Sequence, residues 1–159
     1  MIEGNRLPTI HGERVVLRWL EDDDVDDLLG IFGDPEVMRY WSSPPLADRT
    51  AAAALLAEIR EFFARHTLYQ WGVALPDEGT VIGTCTLTSF HAESARAEIG
   101  FALGREHWGR GYMSDAVAAL LDYAFGPLGL RRLEADVDPR NGPSLRLLER
   151  VGFRREGLL

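Results

Sequence analysis

Two β-rich runs, Tyr69 to Leu75 and Thr80 to Phe90, stand on either side of Pro76-Asp77-Glu78-Gly79. A four-residue turn of this chemistry between such runs reads as a hairpin, and a hairpin in mid-chain commits the sheet to antiparallel pairing there. The pattern then changes. Ser114 to Phe125 is amphipathic, Arg132 to Val137 is β-like, and Ser144 to Val151 is helical again until Gly152-Phe153 ends it. Strand-helix-strand alternation favours parallel pairing, so the two patterns together predict an α/β fold with a mixed, mostly antiparallel central sheet flanked by helices.

The flanking segments fit that frame. Arg14 to Leu20 is β-rich, and Glu21-Asp22-Asp23-Asp24 supplies the acidic first turn that helix N-termini favour. Val25, Leu28, Leu29 and Phe32 keep helical spacing until Gly33-Asp34-Pro35 breaks it. The Ala-rich stretch from about Asp48 to His66 places Leu55, Leu56, Ile59 and Phe63 on one stripe of a second helix. Ala97 to Leu103 reads as a further strand, and a short one is expected over 153–158. At 159 residues a single domain over 1–159 can bury a core without disulfides or a structural metal. The single cysteine, Cys85, lies in strand-like sequence and reads as a small core residue.

Charge narrows the partners. Net charge is -8 with no basic cluster, which removes the electrostatic basis of nucleic-acid binding and makes a cationic partner more natural. All 17 basic residues are arginine. No apolar run approaches the roughly 20 residues that a membrane crossing takes. The expectation is a cytoplasmic protein that binds neither nucleic acid nor membrane. The four histidines, His11, His66, His91 and His107, lack metal-ligand spacing, so no metal is expected.

The most informative segment is the strand Glu98-Ile99-Gly100-Phe101-Ala102-Leu103, followed by a loop into Trp108-Gly109-Arg110-Gly111-Tyr112-Met113 and a helix. Glycines let the backbone approach an anion, consecutive N–H groups converge on it, and the helix dipole adds partial positive charge. Arg110 could add a charge-assisted contact. The alternative is a tight turn and nothing more. A P-loop requires a lysine, which this chain does not contain. A dinucleotide fingerprint would place Glu134 at about the ribose distance, but Ser114 stands where its third glycine belongs.

Trp108-Gly-Arg-Gly-Tyr-Met-Ser-Asp-Ala116, followed by Asp138-Pro139-Arg140-Asn141-Gly142-Pro143-Ser144 and Glu149-Arg150-Val151-Gly152-Phe153, resembles the GNAT superfamily of N-acyltransferases. The likeness runs from Arg14 onward and is nearest to the branch that acetylates ribosomal-protein N-termini. It implies that the strands near 97–103 and 132–137 splay apart around the pantetheine arm of acetyl-CoA. Phe101, Ala102 and Leu103 would pair with that arm. Trp108, Gly109, Arg110, Gly111, Tyr112 and Met113 would hold the pyrophosphate, and Asn141 and Ser144 would meet the coenzyme from the other side. The family continues after Gly157 through further strands, so an open edge beside 153–158 is expected to self-pair, giving a monomer or homodimer question.

Three residues depart from the broad superfamily pattern: Trp108 for Gln or Arg, Met113 for Gly or Ala, and Leu148 for a tyrosine that protonates the leaving thiolate. Ser144, one turn earlier, is the substitute that the N-terminal-acetylating branch suggests, the alternative being the N-cap of its helix. Amine attack on a thioester needs a proton acceptor and oxyanion donors. Glu98 is the base by this reading, against a structural pairing with an arginine such as Arg96. Backbone N–H groups near Gly100 to Ala102 would face the oxyanion. Tyr40, Trp41, Tyr69 and Trp71 fall where the resemblance puts the acceptor cleft, with core packing as the alternative. The implied reaction is acetyl transfer to a primary amine, preferably a basic protein N-terminus. Small-molecule amines, a non-catalytic coenzyme A module and a nucleotide-binding domain are the competing readings.

Overall fold

The computed structural model describes residues 1–156 and contains one six-stranded sheet in the order β1-β2-β3-β4-β5-β6. The strands are Ile10–His11, Val16–Arg18, Leu68–Ala74, Val81–His91, Arg96–Leu103 and Arg132–Glu134. Neighbours pair antiparallel from β1 to β5, and β5 pairs parallel with β6. This is the mixed sheet the hairpin and the C-terminal alternation require. The turn at 76–79 joins β3 to β4, with Tyr69 opposite Leu87 and Trp71 opposite Cys85.

Four α-helices pack on the sheet: α1 (Val25–Phe32), α2 (Arg49–Ala64), α3 (Tyr112–Phe125) and α4 (Gly142–Arg150). Strand alternation splits the core. Trp71, Cys85, Leu87 and Ile99 face Val117 and Leu120 of α3, while Val81 and Ala102 face Leu28 and Ile31 of α1 and Leu56 and Ile59 of α2. The sheet therefore has one face under α3 and another under α1 and α2.

Four differences from the sequence reading have physical causes. The N-terminal segment is core: Ile2, Leu7 and Ile10 are buried, the Trp71 indole donates to the Pro8 carbonyl at 2.9 Å, and β1 is too short to show alternation. The expected strand 132–137 stops at Glu134, because its partner β5 is followed in pairing only that far. No strand forms over 153–156, and the rest of the segment expected to be β, with Leu159, lies outside the described residues. The acidic turn is largely neutralised. Buried Asp24 takes a two-pronged bond from Arg18 at 2.8 and 2.9 Å, Asp22 pairs with Arg60, Asp26 with Arg49 and Glu21 with Arg6. No described helix is long and apolar enough to cross a membrane.

Candidate active site

β5 and β6 share three register pairs, Arg96 with Arg132, Ala97 with Leu133 and Glu98 with Glu134. Beyond Glu98 the strands part. β5 continues to Leu103, paired to β4 on one side with no described strand on the other. The backbone of Phe101, Ala102 and Leu103 thus has a free edge, which can hydrogen-bond an extended ligand as a further strand would.

At the end of β5 the chain turns into the glycine loop. The Trp108 indole donates to the Leu103 carbonyl at 2.7 Å, so the loop's first residue is tied back to the strand. Gly109 and Gly111 have φ of +75° and +81°, a left-handed region that glycine enters without a side-chain clash. Gly111 is the N-cap of α3, whose first N–H groups have no intrahelical partner. A Cβ at Gly109 would meet no atom within 4 Å, so the loop surface there is open. These are the features of an anion cradle at a helix start. Tyr112 and Met113 open α3, where backbone N–H groups have no intrahelical partner, and the Met113 side chain is buried with its sulfur 3.5 Å from that of Cys85. Burial raises the Cys85 thiol far above its ordinary pKa, as the core reading requires.

A support for this loop comes from the other end of the chain. Asp115, in the first turn of α3, accepts the backbone N–H groups of Glu13 (3.0 Å), Arg14 (2.8 Å) and Val15 (3.1 Å). Gly12 makes the approach feasible, since a Cβ there would stand 2.7 Å from an Asp115 carboxylate oxygen. The tether delivers Arg14, which donates to the Arg110 carbonyl and lays its guanidinium 4.4 Å from the centre of the Tyr112 ring. Sequence reading missed Asp115, Gly12 and Arg14. An acid in a first helical turn signals only a favourable dipole contact, not a tether to residues about a hundred positions away.

On the opposite arm, Asn141 caps α4 by accepting the Ser144 N–H at 3.3 Å. This corrects the alternative in which Ser144 is the cap: Ser144 is the third helical residue, half-buried, and its hydroxyl is bonded to no described residue. The turn before it is held by Asp138, whose carboxyl is lowered to about 2 by side-chain and backbone hydrogen bonds from Arg140. Leu148, one turn after Ser144, is buried.

Glu98 occupies the last paired position before the splay. Its Oε2 accepts a hydrogen bond from the Ser89 hydroxyl at 3.0 Å, and Ser89 takes a left-handed φ of 54° where the β4–β5 register shifts. The alternative pairing with Arg96 is not formed. Arg96 instead lies 3.6 Å from Glu134, which also receives Arg132 at 2.9 Å. Glu134 is engaged by two arginines, which argues against a ribose-binding role, whereas Glu98 forms no ion pair with a described residue.

A model of the GNAT acetyltransferase domain matches residues 14–154. The chain belongs to the GNAT acetyltransferases. It is 39% identical over 153 residues to an uncharacterized N-acetyltransferase, p20, of Bacillus licheniformis, covering 96% of this chain and 86% of that protein. It is 28% identical to the ribosomal protein uS5 alanine N-acetyltransferase of Escherichia coli, covering 91% and 77%, and 26% identical to the spermidine N(1)-acetyltransferase of the same organism, covering 96% and 78%. Among solved structures, Mycobacterium smegmatis RimJ in complex with CoA-disulfide superposes with a TM-score of 0.85 at 27% identity, covering 96% of this chain and 78% of that one. This GNAT protein is an acetyl-CoA-dependent N-acetyltransferase.

The aromatic residues of this GNAT chain divide. Tyr69 and Trp71 are buried in the core, which corrects their assignment to the acceptor cleft. Tyr40 and Trp41 lie between α1 and α2, with Trp41 exposed and packed edge-on against Phe32. Arg140, from the turn before α4, has its guanidinium carbon 5.5 Å from the centre of the Tyr40 ring. His66 is a structural residue, its Nδ1 2.7 Å from the Tyr69 hydroxyl, and no cluster of metal ligands occurs among the described residues.

Proposed function

We propose that this N-acetyltransferase acts on a protein N-terminal α-amine, with residues 1–159 forming one acyltransferase domain. The observation that carries the reading is Glu98, at the last paired position before the strands part, whose carboxylate accepts from Ser89 and forms no ion pair with a described residue. A site with one half-buried carboxylate for the proton suits an amine that is already partly neutral. An α-amine with a pKa of about 7.8 is roughly a quarter neutral near pH 7.4, whereas a lysine amine near 10.4 is neutral only about 0.1% of the time. The first needs little help to attack. Similarity to the uS5 alanine N-acetyltransferase and to RimJ supports the same direction.

Acetyl-CoA supplies the thioester. Trp108, Gly109, Arg110, Gly111, Tyr112 and Met113 hold its pyrophosphate through loop N–H groups and the α3 terminus, and Arg110 adds a cation. The β5 edge from Phe101 to Leu103 holds the arm in extended form, and its N–H groups near Gly100 to Ala102 face the carbonyl oxygen as charge develops there. Asn141 and Ser144 meet the arm from α4. Glu98 accepts the amine proton, directly or through water, and the Ser144 hydroxyl donates toward the departing sulfur in place of the absent tyrosine.

The test compares a peptide with a free N-terminus, its N-blocked lysine-containing twin, and spermidine, by CoA release. Turnover of the free N-terminus well above the other two is expected. Preference for spermidine or for the blocked peptide overturns the acceptor assignment.

A further inference from the structure

The sheet face under α1 and α2 carries a row of polar side chains. Gln70 on β3 is opposite Thr86 on β4, Thr86 is opposite Gly100 on β5, and Thr88 is opposite Glu98. Their neighbours Cys85, Leu87 and Ile99 point the other way, into the α3 core. Most of the row is spoken for. Gln70 donates to the Thr84 hydroxyl at 3.2 Å, the Thr88 hydroxyl donates to the Thr67 carbonyl at 3.1 Å, and Glu98 accepts from Ser89.

Thr86 differs. Its side chain hydrogen-bonds no described residue, although it is half-buried in the middle of the sheet. Its hydroxyl oxygen lies 2.8 Å from the point a Cβ of residue 100 would occupy. Gly100 therefore leaves the space into which the hydroxyl leans, over β5, two residues from Glu98 on the same face. The Thr86 oxygen is not closed off, since Arg60 Nε is the one buried side-chain polar atom without a partner among the described residues, so it is open to a ligand that enters over Gly100. The polar atom and the glycine that admits it make sense together when a ligand uses them.

We propose that Thr86 positions the acceptor amine; the inference rests on the transferase reading with Glu98 as base. A neutral primary amine has two N–H bonds and one lone pair. The Thr86 oxygen accepts one N–H and Glu98 takes the other, which leaves the lone pair directed at the thioester held along the β5 edge. As the C–N bond forms and the C–S bond breaks, the proton passes to Glu98 and the electron pair leaves on sulfur. A secondary amine has one N–H and cannot satisfy both groups. The arrangement selects primary over secondary amines.

The experiment uses the full chain with acetyl-CoA and two peptides that differ only in an N-terminal alanine or N-methylalanine. Wild type is expected to favour the primary amine about three- to tenfold in kcat/KM, the worth of one hydrogen bond. Thr86→Val should lower kcat/KM for the primary-amine peptide about three- to tenfold, shrink the discrimination by the same factor, leave acetyl-CoA affinity within about twofold, and not lower Tm. Thr86→Ser should restore both rate and discrimination. Discrimination unchanged in Thr86→Val, or a primary-amine rate equal to wild type, overturns the proposal and leaves the transferase reading standing. A wild-type chain that turns over no amine refutes that reading and this inference with it.

Discussion

Asp115 is the residue whose loss should be felt both in stability and in coenzyme binding. Its carboxylate accepts three backbone N–H groups from the β1–β2 turn, at 3.0, 2.8 and 3.1 Å. Hydrogen bonds to a charged group are worth about 1.5–3 kcal/mol each. The sum overstates the effect, because two of the three lie on the surface where water can replace the carboxylate, and only the Val15 bond is part-buried. About 2 kcal/mol in total is the reasonable figure for Asp115→Ala, which for a chain of this size is a drop in Tm of about 4–8 °C. Asp115→Asn should cost about half as much: the retained oxygen can serve Arg14 and Val15, while the new NH2 group confronts the Glu13 N–H. Releasing the turn also frees Arg14 from the Arg110 carbonyl and the Tyr112 ring, so acetyl-CoA affinity should fall at least about threefold in Asp115→Ala. Thermal unfolding by circular dichroism and titration calorimetry with acetyl-CoA measure the two. A Tm within about 1 °C of wild type refutes the energetic estimate. A lowered Tm with unchanged affinity refutes the link between the tether and the loop.

Gly111→Val should weaken acetyl-CoA binding at least about tenfold, or about 1.4 kcal/mol, in a chain that still folds. The cause is twofold: a branched residue at φ +81°, and a Cβ 3.2 Å from the Arg14 guanidinium; unchanged affinity in calorimetry moves the pyrophosphate elsewhere. Glu98→Gln should lower kcat by roughly 10² to 10⁴ with acetyl-CoA affinity nearly intact, and Ser144→Ala should cost less. Full activity of the Glu98 variant between about pH 6 and 9 removes it from the mechanism. Cys85 should resist a thiol reagent at about pH 8 in the folded chain and react fully in denaturant, because burial raises its pKa. Labelling of the native protein at the rate of a free thiol contradicts that burial.

Patterns local in sequence were legible before the structure. The β3–β4 hairpin, the stripe of α2 and the loop at 108–113 each declare themselves within a dozen residues, through periodicity or turn chemistry. What was not legible depends on distance or on shortness. Two residues of β1 cannot show alternation. Nothing local distinguishes Gly12, whose reason is a carboxylate from α3. Glu98 could be named from its place on a strand, but its partner Ser89 is set by a register shift that no pattern announces. Nothing local distinguishes Thr86, because only the cross-strand register reveals that it faces a glycine two residues from Glu98.

The acidic run shows how a correct local reading can mislead about function. Glu21 to Asp27 resembles a surface that draws in a cation, and part of the net charge of -8 resides there. In the fold, Glu21, Asp22, Asp24 and Asp26 each face an arginine, and Asp27 accepts the Val81 N–H at 3.1 Å. Paired charges project little field, and salt screens what remains beyond about 8 Å. Asp23 and Asp27 have no arginine partner among the described residues, but with four of the six carboxylates paired the long-range attraction of this segment is weak. Selection falls instead to short-range chemistry at the splay: the protonation state of the incoming amine against one carboxylate, and the number of N–H bonds it can offer to Glu98 and Thr86. Those two criteria favour a primary α-amine whatever the charge of the polypeptide behind it.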